Sequence, residues 1–129
     1  MKNFIALGTA QFGGAYGISN PNGLLDTDQV REILRISRDR GVSVIDTAIA
    51  YGESESRLGI ENVSGFDVIT KLPEIPSGGV SAWIREQLRG SLARLSIPRL
   101  YGVLLHRPEQ LVSPDGPEIY DALCDLKNE

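Results

Sequence analysis

Cysteine is nearly absent from this 129-residue chain: Cys124 stands alone. That excludes an intrachain disulfide, so the fold has to be held by packing and hydrogen bonds. A reducing compartment is the natural setting. Long apolar runs are missing too; nothing approaches the roughly 20 residues that a membrane helix needs. The opening stretch MKNFIALGTAQFGG has one Lys and a short apolar run, too brief for a signal-peptide core, and its Thr-Ala-Gln-Phe is a poor cleavage site. No excess of basic charge is present. The net charge of −4 argues against nucleic acid or an anionic membrane as partner. Arg35, Arg38 and Arg40 fall at helical spacing and read as a solvated helix face. There is no low-complexity segment and no linker dividing the chain, so one domain over residues 1–129 is expected, soluble and cytoplasmic.

What is present alternates between two patterns. Short apolar runs rich in strand-forming residues occupy Phe4–Thr9, Val42–Thr47, Phe66–Leu72 and Leu100–His106. Between them lie helix-spaced segments. TDQVREILRISRDRG puts Val30, Ile33, Leu34 and Ser37 on one face, with Asp26 or Thr27 to cap it and Gly41 to close it. SESRLG reads as a short helix capped by Ser54. VSAWIREQLRGSLARL carries Val80, Trp83, Ile84, Leu88, Leu92 and Leu95 as a core stripe, which Gly90 weakens by about 1 kcal/mol. PEIYDALCDLKNE turns Ile119, Leu123 and Leu126 inward, with Cys124 as a packed thiol beside them. Four successive strand–helix units of this kind build a parallel α/β sheet.

The polar residues at the strand ends do not follow from packing. The second strand ends at Asp46 with Tyr51 in the loop beyond, the third at Lys71, the fourth at His106, the only histidine. In parallel α/β folds the carboxyl edge of the sheet is where sites are built. Taken singly, Asp46 could cap a turn, Tyr51 and Lys71 could be surface groups, and His106 a hydrogen-bonded structural residue. Together they form a chemical set. A phenol is a weak acid, with an ordinary pKa of about 10, and a nearby ammonium favours its phenolate. A carboxylate holds the ammonium in place. An imidazole can donate to an oxygen that is gaining charge. The set suits proton delivery to a carbonyl; a hydride would have to come from a nicotinamide. GTAQFGGAYG invites a phosphate-loop reading, but it lacks the Gly-Lys-Ser/Thr ending and the dinucleotide-binding spacing. It reads as a loop whose glycines give flexibility or close approach.

LGTAQFG, VIDTAIAYGESESRLG, VITKLP and LLHRP, in this order and spacing, resemble successive signatures of the aldo-keto reductase family. The Asp-Thr-Ala-x-x-Tyr-Gly stretch with its trailing Ser-Glu-x-x-Leu-Gly is the most specific of them. The resemblance implies a TIM-type (β/α)8 barrel, of which about four βα units, the amino-terminal half, are present. It implies reduction of a small aldehyde or ketone with NADPH, NADH being the alternative, and no metal. It implies a catalytic tetrad: Tyr51 as general acid, Lys71 easing the loss of its proton, Asp46 paired with Lys71, and His106 orienting the carbonyl. Gly8 and Thr9 resemble residues that approach the nicotinamide, with Gln11 nearby. An eight-unit barrel takes about 250 residues, and the family's main grip on NADPH comes from loops after the later strands. The 129-residue chain alone is therefore expected to be weak or inactive. Its unpaired sheet edges and bare inner face favour self-association. Two other readings remain open at this point: a Schiff-base aldolase using Lys71 as nucleophile, and a non-catalytic nicotinamide-binding or interaction module.

Overall fold

Burial alternates along the third strand of the computed structural model, which describes residues 5–14 and 23–128. In β3 (Asp67–Leu72), Val68, Thr70 and Leu72 are buried, while Asp67, Ile69 and Lys71 face the other way. One face is covered and one is open. The remaining strands are β1 (Ala6–Gly8), β2 (Val44–Asp46) and β4 (Gly102–Leu105). All neighbours are parallel and the spatial order is β1-β2-β3-β4. Register carries the alternation across the sheet. Leu7 pairs with Ile45, Ile45 with Val68, and Leu72 with Leu105. Those residues share the covered face.

Among the described residues five helices supply the cover: α1 (Ala10–Gly13), α2 (Thr27–Asp39), α3 (Ser54–Ile60), α4 (Val80–Leu95) and α5 (Gly116–Asn128). A 3₁₀ turn over Pro108–Val112 precedes α5. Two apolar clusters result. Phe12, Val30, Leu34, Ile45, Leu58, Val63, Val68 and Leu95 form one under the first three strands. Leu72, Val80, Ile84, Leu88, Ile119 and Ala122 belong to the other, against which Trp83, Leu123 and Leu126 pack. Burying an aliphatic side chain of this kind stabilises the fold by about 1.5–3 kcal/mol. Cys124 is half-buried.

The βα alternation and parallel sheet expected from the pattern, and the half-barrel that the resemblance implies, are present, and several boundaries differ for identifiable reasons. Asp26 caps α2: its carboxylate accepts from Gln29 N–H at 2.8 Å, and Gln29 returns a bond to the Asp26 N–H at 2.9 Å. Gly41 closes the helix with φ +72, and Val42 N–H bonds Ser37 C=O. Val42 therefore belongs to the helix stop, and β2 begins only at Val44. Phe66 N–H turns back to Val63 C=O, so β3 starts one residue later than its apolar run. Ser54 is not the cap of α3. Glu53 holds that place without a side-chain bond, and the Ser54 hydroxyl points into the core. The stretch after β1, expected as loop, forms the single turn α1. The Phe4 end of the first run, residues 15–22 of the glycine-rich stretch and Glu129 lie outside the described residues.

The basic residues of α2 have local acceptors. Arg35 lies 2.7 Å from Glu32 and from Asp39, and the Arg35 hydrogen bond holds the Glu32 carboxyl below its usual range. Arg31 pairs with Asp28 and Glu61. Exposed pairs of this kind contribute little stability. Among the described residues no helix is long and apolar enough to cross a membrane.

Glu55 carries a charged contact into the interior. Glu55 is 1% exposed, and its carboxylate accepts from Thr70 at 2.7 Å, Ser91 at 2.6 Å and Arg94 Nε at 2.8 Å. It ties α3 to β3 and α4. Removing one partner of a buried pair leaves the others unmatched. Glu55→Ala is expected to lower unfolding stability by about 3 kcal/mol, read from urea denaturation. A loss no larger than that of an exposed substitution would show that these contacts contribute nothing.

Candidate active site at the carboxyl rim of the sheet

Register decides which side chains meet. Gly8 pairs with Asp46, and Asp46 with Ile69. Lys71 lies two residues beyond Ile69 on β3 and so faces the same way. Lys71 pairs with Leu104, and His106 lies two residues beyond Leu104. Gly8, Asp46, Lys71 and His106 therefore all belong to the open face, at its carboxyl edge. Each step from β2 to β3 to β4 moves the polar residue two positions further along, the stagger of a closing barrel.

Lys71 is the centre of the group. Its ammonium donates to Asp46 Oδ1 and, at 2.9 Å, to the backbone carbonyl of Thr47. Its side chain is 15% exposed and that of Asp46 41%. The same Nζ lies 5.1 Å from the centre of the Tyr51 ring. The Tyr51 and His106 rings meet edge-on, 5.7 Å between centroids and 67° between planes. A carboxylate, an ammonium, a phenol and an imidazole thus share one rim, three of them carried by adjacent strands and the fourth by a turn.

That turn is held tightly. Tyr51 N–H bonds Ala48 C=O at 3.0 Å, and Ser54 N–H bonds Tyr51 C=O at 3.0 Å. Gly52 adopts φ +54. The end of α1 lies directly against it: a Cβ built on Gly13 would sit 1.4 Å from the Tyr51 carbonyl oxygen. This glycine serves close approach.

The other positions singled out from sequence lie beside this group. Gly8 is exposed, and a Cβ there would meet nothing within 4 Å. Thr9 follows it, wholly buried, with its N–H and hydroxyl both on the Asp46 carbonyl. Gln11 is half-buried on α1. Sequence reasoning missed Thr47 and the inward turn of Ser54. Thr47 has the signal of adjacency to Asp46; the burial of Ser54 has none, because a serine before a helix ordinarily caps it.

A parallel sheet with polar groups gathered at its carboxyl edge defines the class, a parallel α/β half-barrel. Residues 4–129 match the aldo/keto reductase family, and the chain belongs to that family. A crystal structure of the Pseudomonas aeruginosa protein PA4992, assigned to the aldo-keto reductases, is 29% identical with a TM-score of 0.79. The alignment covers 95% of this chain and 50% of that one. The aldo-keto reductase AKR11C1 from Bacillus halodurans, in its holo form, shares the fold at 19% identity and a TM-score of 0.71, with 96% of this chain and 42% of that one covered. No curated protein matches the chain. The chain thus spans about half the length of the solved structures it resembles.

Gly13→Ala is expected to force α1 off the Tyr51 turn and to cost about 1–3 kcal/mol of stability, measured by thermal unfolding. An unchanged midpoint would mean that the two backbones do not pack this closely.

Proposed function

We propose that this chain carries the proton-delivery half of an oxidoreductase that reduces a small aldehyde or ketone to an alcohol with a nicotinamide cofactor, NADPH in preference to NADH. One observation supports the reading: a single ammonium, Lys71, joins the Asp46 carboxylate to the Tyr51 ring, and His106 meets that ring from the side. Tyr51 is the general acid, giving its hydroxyl proton to the carbonyl oxygen. The Lys71 charge stabilises the phenolate left behind. Asp46 keeps the ammonium at this spot. His106 donates to the carbonyl oxygen and orients it. The nicotinamide supplies the hydride when bound.

The strand ends suit such a cofactor. Gly8 leaves open space above the strand beside Asp46, where any larger residue would stand in the way. In this half Gly8, by its bare backbone, and the half-buried Gln11 are the positions that would contact it, with the wholly buried Thr9 supporting the strand end behind Gly8. The Lys71 donors already have two acceptors, Asp46 and Thr47. That favours a fixed charge over the free amine that a Schiff-base nucleophile needs.

Tyr51→Phe in the full-length protein is expected to cut NADPH-dependent reduction of a test aldehyde by about 10²–10⁴-fold in kcat. An unchanged rate would remove Tyr51 from the acid role. Titration of the 129-residue chain with NADPH, followed by cofactor fluorescence, is expected to show weak binding. Binding with no reduction even in the full-length protein would point instead to a nicotinamide-binding module.

The reading includes self-association of the isolated chain. β1 and β4 are the two edges of the sheet, and on the open face Ala6 and Leu104 are exposed. Edges and faces of this kind attract a second copy. Sedimentation of the isolated chain is expected to show a concentration-dependent dimer; a monomer at high concentration would overturn it.

A further inference from the structure

We infer that Thr9, Thr47 and Ser54 form a buried hydroxyl relay whose task is to position the Tyr51 turn and the Lys71 ammonium. The inference rests on the reductase reading for its catalytic consequence, but its geometry is independent of that reading. All three residues are 0% exposed. Burying a hydroxyl is unfavourable unless it is hydrogen-bonded, and Val or Ala would fill the same space without that cost. Three such groups in contact, at the end of two short strands, therefore call for a reason other than packing.

Proton counting gives the relay a direction. Each hydroxyl has one proton to donate. Thr9 Oγ1 donates to the Asp46 carbonyl at 3.2 Å. Ser54 Oγ donates to Thr9, whose hydroxyl is 2.9 Å away and whose carbonyl is 3.0 Å away. With the Ser54 proton committed, the 3.1 Å contact between Thr47 and Ser54 is made by the Thr47 proton. The order is Thr47 to Ser54 to Thr9 to the Asp46 carbonyl, and no hydroxyl proton is left over.

The ends of this relay are attached to the site. Thr47 follows Asp46, and its carbonyl accepts the Lys71 ammonium at 2.9 Å. Ser54 N–H donates to the Tyr51 carbonyl of the turn at 3.0 Å. The Thr47–Ser54 bond thus closes a loop with Tyr51 near its middle. The Asp46 carbonyl, held twice by Thr9, fixes the strand end that carries the carboxylate. Thr47 and Ser54 touch no reacting atom in this scheme; they are positioning residues. Small displacements at such sites reduce turnover strongly, because reacting groups need close alignment.

The test compares Thr47→Val, which removes the hydroxyl at nearly constant shape, with Thr47→Ser, which keeps it, and adds Ser54→Ala. Amide hydrogen exchange is followed on the chain itself, and kcat and KM are followed in the full-length protein at a temperature where every variant is folded. Thr47→Val and Ser54→Ala are expected to speed exchange at Tyr51 and Ser54 by about tenfold or more, with α4 and β3 unchanged. Their kcat is expected to fall by about 10–100-fold with KM little altered, while Thr47→Ser stays close to the parent in both. Lower thermal stability with unchanged exchange in the turn and unchanged kcat would reduce the relay to ordinary core structure and overturn the inference. Equal losses in Thr47→Ser and Thr47→Val would also overturn it, since shape and not the hydroxyl would then matter. If the full-length parent reduces no carbonyl, the reductase reading fails by itself, and the exchange comparison still decides whether the hydroxyls hold the turn. If Ser54→Ala does not fold, the Thr47 pair decides alone.

Discussion

A lysine ammonium largely withdrawn from water must be given acceptors, and at this rim the acceptors organise the rest. Lys71 finds two, the Asp46 carboxylate and the Thr47 carbonyl, on consecutive residues of the neighbouring strand. An uncompensated charge in that position is costly. The end of β2 therefore has to stay where the end of β3 points. Tyr51, on the turn that follows, comes to lie beside the same ammonium. The chemistry proposed for this group depends on that one matched charge.

The sheet makes the match available. Alternation along each parallel strand separates a helix-covered face from an open one, and pairing transmits the alternation from strand to strand. Asp46, Lys71 and His106 share the open face because each occupies the right parity in its register. The helices have a less direct part. They bury the apolar residues of the covered face, and the Glu55 contacts lock α3 against β3 and α4. A firm α3 gives Ser54 a fixed place, and Ser54 with Thr47 spans the base of the Tyr51 turn. Rigidity is thus passed from the core outward to the rim.

Family membership and the matched half-length frame the same facts differently. The solved relatives extend to about twice this chain. The four-stranded sheet seen here has two edges and one uncovered face. The polar group sits at the end of that uncovered face, so whatever covers the face also shapes the space above Tyr51 and His106. The Asp46–Lys71–Tyr51–His106 arrangement itself is assembled within this sheet and the turn after β2.

Much of this was legible from residue order. Short β-branched runs alternating with amphipathic segments are local patterns, and they mark strands and helices because packing has the same period as the backbone. The α4 range follows from them, and so does a cap at Asp26 or Thr27, of which the structure uses Asp26. So does the location of Asp46, Lys71 and His106 at strand ends, with Tyr51 in the loop beyond Asp46. Residue order thus settles the alternation of elements and the candidates for chemistry. Boundaries moved where a local backbone bond took over, as at Val42 and Phe66. It took the folded arrangement to turn Ser54 inward to Thr9 and Thr47, to lay Gly13 against the Tyr51 carbonyl, and to bring Lys71 to both Asp46 and Tyr51. Apart from the Thr47–Ser54 bond, these are contacts between residues far apart in the chain. They depend on strand register and helix docking, which no periodicity within a single segment encodes.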